Sequence, residues 1–530
     1  MIITTIEQWL QWAEEYENLP FIRKISWTRG NPPTWEPFRR QKGQPSFVLE
    51  SAKGGRYTYF GDRPAASITG KGDLAVIREY LTGSAAEAAG TEVSRRTVSG
   101  RPLELVKEWM KPYRSPRAAG APPFTGGCVG FWGYDVARSI ERLPVIAADD
   151  LGLPDYDFFM LRRVWSLDLQ EQALYCSVYT QIPRFRDGES KSGVLEQLYR
   201  QAEAETAQMA AEWEEWHLEA ERHEDALQRR AFFNAASRKD GLRIDIEAME
   251  GIEVDFPKDR FLEAVRRIQH YIAQGDVFQV NLSVRQSRKL HSSSEDIYEW
   301  LRMLNPSPYM AFLQYPEYEL VSGSPELLVR LIAGTLETRP IAGTRPRGGS
   351  REEDMRLAGE LIANEKERAE HIMLVDLLRN DLGRVSRYGT VQVTDLMTIE
   401  YYSHVMHIVS HVKGVLAAGK DAFDAIAAVF PGGTITGAPK IRTMEIIEEL
   451  EPFRRGPYTG SIGWIDYNGD MELNIIIRTL VVKDGKGYVQ AGAGIVIDSL
   501  PEKEYVESLN KAKALWKAIQ YSENRGAEPR

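Results

Sequence analysis

Two short stretches, residues 364–377 and 501–511, constrain the fold of this 530-residue chain more than any other feature. Both are predicted to be helical, and each carries two glutamates spaced three apart: Glu367 with Glu370, and Glu504 with Glu507. Residues at this spacing lie on one face of a helix. If the two faces meet, their carboxylates repel one another unless a cation lies between them, and Mg²⁺ suits carboxylates that also face an anionic substrate. The simpler alternative is two separate, solvated helix faces.

Composition argues against several classes of protein. The formal net charge of −10 argues against nucleic-acid binding, because that function needs a basic surface. No run of about 18 apolar residues is present, so we expect no membrane span. Only two cysteines occur, Cys128 and Cys176, and the first residues lack the pattern of a signal peptide. We therefore expect a cytoplasmic protein without disulfides.

The pattern of predicted elements indicates the fold class. Apolar residues alternate in the first part of the chain as in strands, including a hairpin at 46–60, and the glycine-dense segment 124–134 is typical of closely packed strands. Later segments alternate between helical and strand patterns without a regular βαβ repeat. We therefore predict an α+β fold with large, mixed but mainly antiparallel sheets layered with helices.

Four regions are expected along the chain. Residues 1–190 form an N-terminal α+β region, and residues 251–520 form the region richest in functional signals. Between them, residues 191–250 are rich in Glu, Ala, Gln and Arg, which favours helix, and we interpret them as a largely solvated helical insertion or linker without catalytic residues. Residues 521–530 are expected to be a tail.

Two cations in the last region attract attention. Arg478 lies in an apolar segment, 475–482, that is predicted to be one strand, and a charge buried there is costly unless it is paired. Its partner is either a structural carboxylate or an acidic ligand. Lys511 follows Glu507 by four residues, so it either adds a second positive charge beside that ligand or forms an ordinary surface pair.

Other segments offer groups for anions and for proton transfer. The glycine-rich segments 431–442 and 490–498 are both predicted to be loops that could present backbone amides to an anion, and the first runs into a predicted helix. His404 and His407 lack a third zinc ligand nearby, so a role in acid–base chemistry is open. No serine or cysteine nucleophile elbow is present. Any ammonia released from glutamine would therefore come from another polypeptide.

The order of these segments resembles that of the chorismate-utilising enzymes, a family that includes the large subunits of anthranilate synthase and aminodeoxychorismate synthase. The segments that carry the resemblance are 337–348, 369–381, 403–407, 431–442 and 491–499. The resemblance is dense over residues 250–520, thinner before them, and absent from the helical insertion. It implies an anthranilate synthase component I-like fold.

The resemblance also implies roles for the candidate residues. Glu370 and Glu507 would hold Mg²⁺ with Glu367 and Glu504 beside them, and the ion would bind the ring carboxylate of chorismate. Glu326 matches the general acid that protonates the departing C4 hydroxyl, for which a raised pKa is needed, and His407 matches a histidine near the ring. The remaining substrate contacts would be Arg478, Tyr458, Lys511, Gly492, Ala493, Gly494, Thr344 and Thr434.

Two positions bear on the nucleophile. Gln279 stands where the water-adding relatives carry a lysine base, which argues for ammonia. Asn281, Gly432-Gly433 and the segment 458–464 resemble aminodeoxychorismate synthase, whereas Ala342 replaces a lysine with which one branch of those enzymes attacks the ring.

The expected reaction is therefore formation of 4-amino-4-deoxychorismate, for p-aminobenzoate and folate biosynthesis, by a transaminase-type transferase supplied with ammonia by a glutamine amidotransferase partner. The alternative reaction, that of an anthranilate synthase, is a lyase reaction that releases pyruvate. A third alternative, a non-catalytic homologue that binds tryptophan or a partner, is disfavoured because all four glutamates are present. A tryptophan pocket is suggested by resemblance at Glu50, Ser51, Pro308, Tyr309 and Met310.

Overall fold

The computed structural model describes residues 1–39, 45–52, 55–81, 91–185, 191–236, 249–402 and 405–523. The helices in these residues are α1 (Ile6–Trp12), α2 (Pro102–Met110), α3 (Ala137–Ile140), α4 (Ser192–Arg222), α5 (Glu224–Ala236), α6 (Lys258–Ala273), α7 (Ser294–Leu304), α8 (Arg351–Ala363), α9 (Glu365–Gly383), α10 (Ala422–Val429), α11 (Lys440–Leu450), α12 (Pro501–Lys511) and α13 (Lys513–Glu523). No helix within the described ranges is long and apolar enough to cross a membrane.

The strands before residue 250 are β1 (Asn18–Ser26), β2 (Ser46–Glu50), β3 (Tyr57–Asp62), β4 (Ala66–Lys71), β5 (Leu74–Tyr80), β6 (Glu92–Ser99), β7 (Gly127–Trp132), β8 (Tyr156–Leu161), β9 (Arg163–Asp168) and β10 (Ala173–Gln181). Those after it are β11 (Glu253–Val254), β12 (Gln279–Lys289), β13 (Tyr309–Gln314), β14 (Tyr318–Ser324), β15 (Leu327–Ile332), β16 (Thr335–Thr338), β17 (Ile341–Pro346), β18 (Gln392–Tyr401), β19 (Val405–Val415), β20 (Gly437–Ala438), β21 (Ser461–Asp466), β22 (Met471–Ile475), β23 (Thr479–Lys483) and β24 (Lys486–Ile495).

The strands form two large sheets, and every pairing between named strands is antiparallel. The first sheet has the order β1-β10-β9-β3-β2-β13-β14-β23-β24-β12-β11, with β20 beside β12. The second has the order β17-β19-β16-β15-β22-β21-β7-β8-β4-β5-β6, with β18 beside β19. The predicted α+β class with large antiparallel sheets is confirmed.

Each sheet combines strands from both ends of the chain. In the first sheet β2 pairs with β13, and in the second β7 pairs with β21. The regions 1–190 and 251–520 are thus separate in sequence, but they share both sheets. Large apolar side chains fill the space between the sheets, among them Phe47, Phe131, Phe159, Leu313 and Trp464.

The segment predicted as a solvated insertion is part of the core. α4 packs on β1 and β10. Its buried side chains recur every three to seven residues and form one stripe: Leu195, Ala202, Thr206, Met209, Trp213, His217 and Ala220. The prediction of a largely solvated segment is wrong for this face, because the apolar positions are too sparse among charged residues to be conspicuous in composition.

Three element boundaries also differ from the predictions. The predicted strand 475–482 is two strands, β22 and β23, with Arg478 in the connection between them at φ +51°. The glycines of the segment 490–498 lie within strand β24 and not in a loop. The last helix, α13, extends to Glu523, past the predicted start of a tail at residue 521.

Candidate active site

The two glutamate pairs lie on helices, as predicted. α9 begins after Asn364, whose side chain accepts a hydrogen bond from the backbone N–H of Glu367. α12 begins with Pro501, which suits a first helical position because its missing N–H is not needed there. Each pair therefore lies in the first two turns of its helix, which begins with a side-chain cap in α9 and with a proline in α12.

Electrostatic interactions indicate that α9 and α12 face one another. Burial raises the pKa of Glu370, although the hydrogen bond from Gln279 opposes this. Burial also raises the pKa of Glu504, although the hydrogen bond from Ser499 opposes it. The other glutamate of each pair adds to the rise, and the charges of Lys366 on α9 and Lys511 on α12 lower both pKa values. Each helix thus supplies a lysine within electrostatic range of the glutamate on the other helix.

The four glutamates on α9 and α12 border a cleft, and this set of donor groups fits magnesium chemically. All four glutamates offer hard carboxylate oxygens. Burial, with a smaller contribution from the other glutamate of each pair, raises the pKa values of Glu370 and Glu504, and a bound cation would favour their charged forms. Within the described ranges, no three of the four carboxylates lie within 4.8 Å of one another. Mg²⁺ commonly keeps several waters and takes one or two carboxylates together with substrate oxygens, so this open arrangement is compatible with it.

Gln279 and Asn281 on β12 each carry a side-chain oxygen that has no hydrogen-bond partner in the described part of the chain. They lie two residues apart on the strand, so their side chains share a face. Gln279 donates from Nε2 to Glu370 Oε1 over 3.0 Å, which leaves its Oε1 as the free end of the amide. Gln279 Oε1 and Asn281 Oδ1 are both buried and have no hydrogen-bond partner among the described residues. A buried acceptor without a protein partner can accept a hydrogen bond from a water molecule or from a ligand.

Glycines on β24 make room for these two amides. A Cβ atom at Gly494 would lie 2.2 Å from Gln279 Nε2, and one at Gly492 would lie 2.7 Å from Asn281 Oδ1. The other edge of β24 pairs with β23 only as far as Val489. Beyond that point Lys511 Nζ donates to the Gly492 carbonyl over 2.8 Å. The segment Gly492-Ala493-Gly494 is therefore a strand edge that borders the cleft.

Glu326, between β14 and β15, has the environment of a general acid. Its side chain is buried, and burial raises its pKa to about 7, while Thr434, Arg478 and Lys511 oppose the rise. The carboxyl is therefore substantially protonated near neutral pH, as a proton donor must be. The predicted substrate residues Thr434, Arg478 and Lys511 all lie close enough to influence it.

His407 on β19 is neutral and has a defined tautomer. Its Nδ1 lies 3.2 Å from the Gly343 carbonyl and 3.0 Å from Thr344 Oγ1. Because a carbonyl only accepts, Nδ1 carries the proton and Nε2 has a free lone pair. Burial lowers the pKa of His407 to about 4, and the charge of Arg478 acts in the same direction. His404 lies outside the described residues.

Arg478 is a buried cation that forms no ion pair in the described part of the chain. Burial lowers the pKa of its guanidinium, and Glu326 and Tyr402 oppose that effect. Among the described residues no carboxylate forms an ion pair with it, and the Glu326 carboxylate acts on it only through electrostatic interaction. Lys511 does pair with Glu507 at 3.0 Å with both side chains about half exposed, so its surface-pair interpretation holds alongside its contact with Gly492.

Two residues that the sequence analysis did not single out lie behind this cleft. Glu451 and Arg455 form an ion pair at 2.6 Å with side-chain exposures of 3% and 1%. Tyr458, a predicted substrate residue, is buried with the Arg455 guanidinium over its ring. The signal available in the sequence was an opposite-charge pair four residues apart directly after the apolar helix α11.

The five residues of the predicted tryptophan pocket line a cavity of about 620 Å³. Both oxygens of the Glu50 carboxylate accept hydrogen bonds from Arg302, each over 2.7 Å. These bonds fix the position of the Glu50 side chain in the cavity wall. Tyr402 also lines this cavity, and its ring packs against His407 at a centroid distance of 5.4 Å. The cavity therefore adjoins the cleft through one tyrosine.

The profile of the chorismate binding enzyme family matches residues 44–517, and the chain belongs to this family. Aminodeoxychorismate synthase component 1 of Bacillus subtilis (strain 168) is 47% identical over 476 residues, which cover 90% of this chain and 92% of the relative. Anthranilate synthase component 1 of Acetivibrio thermocellus is 39% identical over 527 residues, 98% of this chain and 99% of the relative.

A solved structure agrees with the sequence comparisons. The crystal structure of anthranilate synthase component I from Streptococcus pneumoniae TIGR4 superposes with a TM-score of 0.66 at 32% identity, and the match covers 88% of this chain and 93% of that chain. The expectation of an anthranilate synthase component I-like fold is confirmed. The family resemblance drawn from the sequence segments is confirmed as well.

Proposed function

We propose that this chain aminates chorismate to 4-amino-4-deoxychorismate. The observation that carries the proposal is the set of groups in this site: a protonatable carboxyl, Glu326; the Arg478 guanidinium, which forms no ion pair among the described residues; and two buried acceptors, Gln279 and Asn281. An anionic substrate, a leaving hydroxyl and a neutral nitrogen nucleophile each find a complementary group in this set. The relatives described above point to the same substrate.

Ammonia fits the two unpaired acceptors. Its N–H groups can donate to Gln279 Oε1 and Asn281 Oδ1, which would pair both buried oxygens and leave the nitrogen lone pair free for attack. Water as the nucleophile would require a base to remove a proton during attack. Gln279 is not basic, so the site favours ammonia.

The net exchange balances without any further reagent. A carbon–nitrogen bond forms between ammonia and the ring as the C4–oxygen bond breaks, and Glu326 gives its proton to the departing oxygen, which leaves as water. The nitrogen then carries one excess proton, which returns to the Glu326 carboxylate. Neutral His407 offers Nε2 as a second acceptor near the ring.

Two cations would hold the enolpyruvyl carboxylate. Arg478 can bind it through two parallel hydrogen bonds, and Lys511 adds charge from α12, with the Gly492–Gly494 edge, Tyr458, Thr344 and Thr434 completing the contacts. Glu370 and Glu507, with Glu367 and Glu504 beside them, would hold Mg²⁺, which when bound would orient the ring carboxylate and withdraw charge from it.

The metal proposal has its own test. Glu370→Gln should abolish Mg²⁺-dependent turnover with chorismate and ammonium while the melting temperature stays near that of the wild type, because the carboxylate is already strained by burial and by Glu367. Mg²⁺ binding by the variant should weaken in isothermal titration. If the variant turned over at the wild-type rate, Glu370 would not be a ligand of the metal.

Anthranilate synthase activity is the second candidate, favoured by Ala342, which cannot form the covalent adduct of the lysine-bearing branch. Incubation of the chain with chorismate, MgCl₂ and ammonium chloride distinguishes the two reactions. We expect an aminated product that retains its enolpyruvyl ether. Release of pyruvate together with anthranilate fluorescence would contradict this expectation.

The physiological ammonia source would be a glutamine amidotransferase subunit, since the chain has no nucleophile elbow of its own. The relatives are named as component 1 of their enzymes, which implies a further subunit in those proteins. Tryptophan would occupy the 620 Å³ cavity. The first point is tested by adding a purified amidotransferase subunit, which should make turnover depend on glutamine. The second is tested by Met310→Trp, which should abolish tryptophan binding.

A further inference from the structure

The Glu451–Arg455 ion pair is buried where no catalytic role has been assigned. Both side chains are almost fully inaccessible, and their charged groups lie 2.6 Å apart. Replacing such a pair with apolar residues often costs nothing, so its presence calls for an explanation other than stability. The explanation lies in the other contacts of these two side chains.

The Arg455 guanidinium joins three segments that carry site residues. Nη2 donates to the Asn281 carbonyl over 2.7 Å, and Nη1 donates to the Ile435 carbonyl over 2.9 Å and to Thr459 Oγ1 over 3.3 Å. These acceptors belong to β12, to the loop before β20, and to the turn after Tyr458. The planar fork of arginine can serve all three together with Glu451.

Glu451 fixes the same strand from the adjacent position. Its Oε1 accepts from the Ser283 backbone N–H and from Ser283 Oγ, each over 2.8 Å. The backbone of Asn281 is held on its other side by its N–H, which donates to the Thr436 carbonyl over 2.8 Å. The direction in which Asn281 presents its free Oδ1 therefore depends on contacts that Arg455 and Glu451 supply.

We propose that Arg455, oriented by Glu451, is a positioning residue that sets Asn281 for the nucleophile and Thr434, next to Ile435, for the general acid. This role rests on the proposed amination of chorismate. In this role Arg455 acts through Asn281 and Thr434 and not by direct contact with the substrate. Arg478 and Lys511, the proposed carboxylate anchors, form no hydrogen bond or ion pair with either residue in the described part of the chain.

Arg455→Lys tests the proposal because lysine keeps the charge opposite Glu451 but loses the fork. With chorismate, MgCl₂ and ammonium chloride, kcat should fall about 100-fold, as expected for misplaced reacting groups, and KM for chorismate should change less than about threefold. Glu451→Asp, which keeps both charges but shortens the acid, should act in the same direction.

Arg229→Lys is the matched control. Arg229 is a comparably buried arginine, 3% exposed, that pairs with Glu36 at 2.6 Å and Asp296 at 3.1 Å on the α5 side of the molecule. The kcat of the Arg229→Lys variant should equal that of the wild type. A wild-type kcat in folded Arg455→Lys would overturn the proposal. A rise in KM for chorismate as large as the fall in kcat would overturn it as well. If neither Arg455→Lys nor Glu451→Asp folds, the pair is purely structural and the proposal is likewise overturned.

Hydrogen–deuterium exchange separates this proposal from the proposed function, because it needs no turnover. Peptides covering residues 279–285 and 431–439 should exchange about tenfold faster in Arg455→Lys than in the wild type or Arg229→Lys. Unchanged exchange there would overturn the positioning role whatever reaction the wild type catalyses. A wild type that fails to aminate chorismate but shows this exchange pattern contradicts the proposed function alone.

Discussion

Individual side chains in the cleft are tuned by burial. The same physical cause, removal from water, raises the pKa of the Glu326 carboxyl to about 7 and lowers that of the His407 imidazole to about 4. Near neutral pH one residue can therefore donate a proton and the other is an uncharged acceptor. Both conditions suit a site that must expel a hydroxyl beside an anionic substrate.

Glu326→Gln should reduce kcat by roughly 10²–10⁴-fold, because glutamine has no proton to give to the leaving hydroxyl. Steady-state turnover with chorismate and ammonium measures this. Glu319→Gln is the matched control: burial also raises the pKa of Glu319 to about 7, but this residue lies outside the cleft. Equal losses in the two variants would show that Glu326 is not the acid.

The same substitution should stabilise the protein at high pH. The pKa of Glu326 is raised from 4.5 to about 7 in the folded chain, so the folded state binds more protons than the unfolded state between these values, and stability falls as pH rises through that window. Glu326→Gln removes a penalty of roughly 3 kcal/mol above pH 7 and little near pH 5. Melting temperatures at the two pH values should show the difference, and a gain at pH 5 alone would contradict it.

At the scale of elements, α4 shows that the segment between the two main regions also contributes to the hydrophobic core. Trp213 is buried against Trp35 and Phe60, and the Trp165 indole donates to the Met209 carbonyl over 2.9 Å. The helix is therefore a layer on the outer face of the first sheet, at the end formed by β1 and β10.

Trp213→Ala should lower the free energy of unfolding by about 3–5 kcal/mol, because it leaves a large cavity beneath the helix. The exposed neighbour Glu214→Ala is the control and should change stability by less than about 0.5 kcal/mol. Urea unfolding followed by far-UV circular dichroism compares the two. A solvated linker helix, as the composition suggested, would give the same small effect for both.

At the scale of the whole molecule, neither half of the chain closes its own sheets. Without residues 1–190, strand β13 loses β2 and strand β21 loses β7 as hydrogen-bonded neighbours. Open edges of this kind invite aggregation. The apolar layer between the sheets also takes side chains from both halves.

A chain of residues 251–523 alone should therefore fail to give a folded monomer, whereas the full chain should melt in one calorimetric transition. Size-exclusion chromatography and scanning calorimetry test this. Co-expression with residues 1–250 serves as the control and should restore solubility. A monomeric, cooperatively melting 251–523 fragment would show that the shared sheets are dispensable.

Much of the fold and site could be predicted because the signals are local. The helical spacing of Glu367 with Glu370 and of Glu504 with Glu507 depends only on 3.6 residues per turn, and α12 begins and ends where its sequence predicts. The break at Arg478 could not be predicted, since the six apolar residues around it in the segment 475–482 mask a single residue of positive φ. Glu451 and Arg455 were equally hidden, because their importance lies in acceptors on distant strands.

The sequence by itself determined the helices that carry the glutamates, the family, and the chemical types available for acid, anion and nucleophile, because each of these depends on near neighbours or on ordered motifs. Only the tertiary structure decided that α4 is core, that Arg478 forms no ion pair with a carboxylate in the described part of the chain, and that two amide oxygens on β12 have no partner there. Ion pairing, hydrogen bonding and burial depend on contacts between residues that are far apart in the sequence. Local spacing along the chain does not predict these contacts.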